Sequence, residues 1–176
     1  PPATSGILAG TGMAIAAASI DRSRMPDGPS VAAMDWTAPF PMTPSEAFAA
    51  IALIAVACDG SLDREEAHAL RQELSSRSPY RDLSEVRMGE LFDELLDQLR
   101  RDGWEGLLDA SLPALTSDQQ ETALAMAAQL VHSDRILRDQ ELEMLQAMAQ
   151  RSALPAERSQ QILEVISLLN RDILAS

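Results

Sequence analysis

The chain is 176 residues long, 46% hydrophobic but only 3% aromatic, and carries a net charge of −13. That length suits one domain, or one domain with a tail, whose core must be built from Ala, Leu, Ile and Met. The acidic balance, with no basic stripe to offset it, excludes nucleic acid and a bare anionic membrane as partners, since both are polyanions. One cysteine, Cys58, excludes an internal disulfide, and the two histidines, His68 and His132, leave little for zinc or imidazole chemistry.

Residues 1–42 hold six of the ten prolines and show no amphipathic period, so they are expected to form a disordered or non-core N-terminal extension. Within them Gly6 to Ile20 is uncharged, yet it is too short and too rich in Gly and Ala to span a bilayer. No basic segment precedes it as in a signal peptide, so no membrane insertion is expected.

A helical domain is expected over 43–176. Thr43-Pro44-Ser45-Glu46 is a capping box with proline in the first turn. It opens a helix through Phe48, Ile51, Leu53, Ile54 and Val56 to Cys58. That helix is apolar nearly all round and therefore central. Asp59-Gly60 stops it, and Asp63 with Glu66 caps a second helix through Ala69, Leu70 and Leu74. A third is expected from about Asp82, boxed by Glu85, with Val86, Met88, Leu91, Phe92, Leu95, Leu96 and Leu99 inward and Glu90, Asp93, Glu94 and Asp97 forming an acidic outer face. Asp102-Gly103 should break it, and a fourth helix carries Trp104, Leu107, Leu108 and Leu112 up to Pro113. Ser117-Asp118-Gln119-Gln120 reads as a capping box for a fifth, again nearly all apolar, with Ala123, Leu124, Met126, Ala127, Leu130 and Val131. A sixth turns Leu142, Leu145 and Met148 inward. A seventh begins near Pro155 and uses Ile162, Val165, Ile166, Leu168 and Leu169. With no alternating strand pattern anywhere, the predicted fold is all-α, a compact bundle of about seven helices in two pseudo-symmetric halves.

The halves are suggested by one pattern that occurs twice, 75 residues apart: Asp59 to Glu66, and Asp134 to Glu141. Each copy follows an Ala-rich apolar run and leads into a helix, with an acidic residue first and a glutamate seven positions later. In the first copy Gly60 serves as a helix stop and Asp63 with Glu66 as a capping box. In the second, Arg135 replaces glycine and Arg138 takes the cap position, so turn chemistry alone leaves Asp134 and Glu141 unexplained. The functional alternative is a divalent cation held by Asp59, Asp63, Glu66, Asp134 and Glu141, because hard cations take several carboxylate oxygens. Ca²⁺, Mg²⁺ and Mn²⁺ fit that donor set, and Zn²⁺ would recruit His132 as a nitrogen ligand. The spacing is not that of an EF-hand loop.

Catalysis has no sequence signature. There is no nucleophile elbow, no phosphate-cradling glycine loop and no Ser/His/Asp arrangement at a recognisable spacing, and no organic cofactor is expected. A metal-dependent enzyme built on the same carboxylates, and a purely structural adaptor docking through the acidic third helix, are the competing readings.

Residues Ala49 to Leu74 and Leu124 to Ala149, each an apolar helix followed by the acidic turn, resemble the two signatures of the TerB family of tellurite-resistance-associated proteins. The resemblance covers roughly 43–172, and Arg135 departs from it where the family has glycine. It implies a seven-helix fold, no established enzymatic activity and a proposed metal-binding role for the acidic turn residues. It also implies a cytoplasmic stress-response role with protein partners, some of them at the inner face of the membrane.

Overall fold

The computed structural model describes residues 41–58, 61–132 and 138–172. All of them belong to the second of two units into which the chain divides, Phe40–Ser176. Asp59, Gly60, Asp134 and residues 1–40 lie outside the described residues, and with them most of the expected extension and half of each turn.

The fold is all-α, with six α-helices and two short 3-10 turns among the described residues. They are α1 (Pro44–Ala57), α2 (Arg64–Ser75), α3 (Glu85–Ser111), α4 (Ser117–Val131), α5 (Asp139–Arg151) and α6 (Ala156–Leu169), with 3-10 turns at Tyr80–Asp82 and Leu112–Ala114.

Helix α1 is the central element. Ala47, every residue from Ala49 to Ala55, and Ala57 are buried, and α1 packs most extensively on α3 and then on α4. Its small alanines let both neighbours approach closely, while Ile51, Leu53 and Ile54 fill the space between. Leu107, Leu108, Leu124, Met144 and Met148 close the core around it, each essentially without exposed surface. Met42, assigned by sequence to the extension, also packs on this core and accepts a contact from the Ser111 hydroxyl at 3.5 Å.

The helix starts follow their capping chemistry, with two shifts from expectation. Helix α3 begins after Ser84, whose hydroxyl accepts from the Arg87 N–H; Asp82 lies instead in the preceding 3-10 turn. Helix α4 is boxed by Thr116 and Gln119 rather than by Ser117 and Gln120. That one-residue shift frees Gln120 to turn inward. There its amide donates to the Leu112 and Leu115 carbonyls and accepts the Ala153 N–H.

Where a break between two helices is expected, the segment Glu85–Ser111 kinks at a single non-helical residue. Gly103 has φ 71° and ψ 171°, a conformation essentially confined to glycine. A Cβ there would meet nothing within 4 Å, so the backbone angle and not space requires glycine.

Ion pairs join the outer helices to this frame. Arg151 of α5 reaches Asp109 and Glu105 of α3, each at 3.0 Å, with its guanidinium 6.0 Å from the Trp104 ring centroid. Arg158 of α6 makes a forked pair with Glu121 of α4, at 2.8 and 2.9 Å. No helix among the described residues is long and apolar enough to cross a membrane.

Candidate functional site

The acidic turns are built by the helices they start. At the first, the Asp63 carboxylate accepts the Glu66 N–H at 2.8 Å and the Glu66 carboxylate accepts the Asp63 N–H at 2.9 Å. Two otherwise orphaned donors of α2 are thereby satisfied. At the second, Glu141 accepts the Arg138 N–H at 2.8 Å, and the Arg138 guanidinium stands 3.8 Å from its other oxygen. Arginine has no acceptor to offer in return, so this is half of a capping box. The recurrence of Glu141 thus has a local explanation that its sequence context concealed: an N3 carboxylate caps the N-cap amide whatever the N-cap side chain is.

The same device starts four helices. Glu46 accepts the Thr43 N–H, Glu66 that of Asp63, Gln119 that of Thr116 and Glu141 that of Arg138. Pair α1–α2 and pair α4–α5 therefore repeat one order of caps, a threonine box followed by a carboxylate-capped turn. Glu141 differs from Glu66 in its surroundings. It is only 8% exposed, whereas the Asp63–Glu66 exchange lies at the surface.

The fold sets the start of α5 against the end of α1. The Gln140 amide, at the start of α5, donates to the Cys58 carbonyl at the end of α1 over 3.4 Å. Asp59 and Asp134 lie outside the described residues, so the five candidate carboxylates are represented by Asp63, Glu66 and Glu141. Among the described residues no three His, Cys, Asp or Glu side chains are grouped to hold a metal ion. His132 is the C-cap of α4, its N–H donating to the carbonyls of Ala128 and Leu130.

Three open spaces are formed by other described residues. A groove of about 950 Å³ runs between α5 and α6, with Gln146, Ala149, Leu163, Val165 and Leu168 in its walls. A smaller hollow of about 490 Å³ is formed where Phe48, Arg77, Tyr80, Leu115 and Asp118 meet, and a third of about 420 Å³ lies along Ala125, Arg158 and Ile162. None of Asp63, Glu66, Glu141 and His132 lines any of the three.

What sequence reasoning missed is the outer side of α6. Ile162, Leu163 and Ile166 pack on the core, but Val165, Leu168 and Leu169 are 54%, 60% and 72% exposed. The sequence reading counts Val165, Leu168 and Leu169 with Ile162 and Ile166 in one apolar set, and does not separate them. The signal was present: apolar residues at 162, 163, 165, 166, 168 and 169 cover more of the helix than one neighbouring face can bury. Leu142 of α5 is also partly exposed, as is Val86 at the start of α3, against the inward placement expected of both. Beneath the groove, the Ser159 hydroxyl is buried with no hydrogen-bond partner. Comparison of the chain with protein-family models, with curated proteins and with solved structures finds no match.

Proposed function

We propose that this chain is a non-enzymatic, acidic helical module of TerB type that acts by docking protein, in the stress-response setting such modules serve. The observation that carries the proposal is the row Val165, Leu168 and Leu169 on the outer side of α6. Three large apolar side chains at i, i+3 and i+4, facing solvent beside an apolar groove, are the form of a helix-docking surface. The test is a photo-crosslinking amino acid placed at position 168 in the cells that make the protein, with the same residue at exposed Glu90 as control. Covalent adducts with protein at 168 and not at 90 are expected. No adduct at 168 overturns the reading.

A second reading, a divalent cation at the paired turns, is favoured by the contact of Gln140 with Cys58, which sets the start of α5 against the end of α1. A carboxylate that accepts one capping N–H keeps lone pairs for a cation, so Asp63, Glu66 and Glu141 could cap and ligate together with Asp59 and Asp134. Ca²⁺, Mg²⁺ and Mn²⁺ suit an all-oxygen set, and Zn²⁺ would draw on His132. Calorimetric titration of metal-free protein with each ion, repeated on Asp59→Asn/Asp134→Asn, decides it. Heat in the parent that is lost in the double variant supports the site, and identical silence in both removes it.

A further inference from the structure

The outer face of α6 carries its own complement. Glu164, Leu168 and Arg171 follow one another at intervals of four and three residues and line the same groove wall, with exposed Val165 beside them. Neither charged residue has an ion-pair partner among the described residues. The Glu164 carboxylate accepts only the Gln160 amide of its own helix, and Arg171 engages through its backbone N–H alone. Elsewhere on the outer helices the cations are used internally, Arg151 on Glu105 and Asp109 and Arg158 on Glu121. One acid on α6 and one base two residues past its end thus line the same groove wall, with a leucine between them in the chain.

That order is self-complementary. When a helix meets its own copy antiparallel about a two-fold axis, residue i faces residue j and j faces i. With the axis beside Leu168, the two Leu168 side chains meet, Glu164 faces Arg171 of the second copy, and Arg171 faces its Glu164. The small side chain of Ser167 next to the axis lets the helices approach. A chain of net charge −13 repels its copies over most of its surface, and this apolar strip offers a second copy a base as well as an acid.

We propose that the protein forms an isologous homodimer through α6, with Leu168 at its centre and reciprocal Glu164–Arg171 pairs at its rim. The proposal rests on the reading of α6 as a protein-docking face and names the partner. A single 14-residue helix offers an interface at the small end of the specific range, so association in the micromolar range is expected.

Sedimentation equilibrium on the full chain and four variant preparations tests it, with circular dichroism as the control for folding. The parent should show a reversible monomer–dimer equilibrium, and Leu168→Asp should be monomeric throughout the same concentration range. Glu164→Arg and Arg171→Glu should each weaken self-association about tenfold, since two rim attractions become two repulsions. An equimolar mixture of those two variants should associate as the parent does, because each supplies the charges the other lacks. The double variant Glu164→Arg/Arg171→Glu should recover as well. A parent that stays monomeric, or a dimer indifferent to the single reversals, overturns the proposal. The crosslink at position 168 separates the failures: adducts with a different protein leave the docking reading standing without the second copy, and no adduct removes both.

Discussion

The phenolic hydroxyl of Tyr80 donates to the backbone carbonyl of Ser45, 35 residues earlier in the chain, pinning the segment after α2 to the first turn of α1. The ring lies 6.4 Å from that of Phe48, and burial pushes the hydroxyl pKa up to about 12 against an ordinary value of 10.0. A folded-state pKa raised in this way favours folding fully below pH 10, where both states are neutral. The contribution falls as pH rises towards about 12, because the unfolded chain ionises first. The chain has no lysine and this single tyrosine, so few side chains besides Tyr80 and the Cys58 thiol ionise on the alkaline limb. Tyr80→Phe should lower stability near neutral pH by about 1 kcal/mol through the lost hydrogen bond and flatten the decline across that window. Urea denaturation at several alkaline pH values, followed alongside tyrosinate absorbance, measures both effects.

Gln120 is a buried polar joint. Its amide nitrogen reaches Leu112 O at 2.8 Å and Leu115 O at 3.1 Å, and its oxygen accepts Ala153 N–H at 2.8 Å. It therefore ties the entry to α4 to the α5–α6 connection. Gln120→Leu fills a similar volume but strands the Ala153 N–H and the Leu115 carbonyl, the Leu112 carbonyl keeping the Leu115 N–H, and should cost about 2–4 kcal/mol. Denaturant midpoints measure the loss. A cost below about 0.5 kcal/mol would mean that water replaces the amide at no penalty.

Two glycines of α3 should respond with opposite signs. An alanine Cβ meets nothing within 4 Å at either Gly89 or Gly103, so sterics do not separate them. Gly103 alone has positive φ. Gly103→Ala should destabilise by about 1–3 kcal/mol. Gly89→Ala should stabilise by about 0.5–1 kcal/mol, from helix propensity and reduced unfolded-state freedom. Thermal unfolding of the two variants side by side checks the pair.

The clasp between Glu121 and Arg158 should open in acid. The hydrogen bond from the Arg158 guanidinium holds the Glu121 carboxyl below the usual carboxylate range. A depressed folded-state pKa contributes stability above the ordinary carboxylate value and loses it as pH falls through the lowered one. Acidification should therefore loosen α6 from α4, seen as hydrogen exchange in α6 that accelerates before exchange in α1. Glu121→Gln should remove that pH dependence while leaving α1 protection unchanged.

The turns and the last helix show where sequence reading stopped. Asp63 with Glu66 could be read directly, because a capping box is written within four residues and needs nothing from the rest of the fold. Glu141 stands unexplained in the sequence because Arg138 hides the same cap. The backbone N–H that Glu141 accepts is common to every N-cap but proline and leaves no mark in sequence.

The sequence by itself determined the helical class, the central place of α1, the stop at Cys58, and the break in helical geometry at Gly103. Each follows from interactions within a turn or two, or from an apolar set that admits no exposed side. Only the tertiary structure decided that α5 begins against the end of α1, that Gln120 rather than its neighbour turns inward, and that Val165, Leu168 and Leu169 face solvent. Which side of an apolar helix is buried depends on how many neighbours it has. Helix α6 lies at the edge, resting mainly on α4, and an edge helix with apolar residues on two sides can bury only one of them within its own chain.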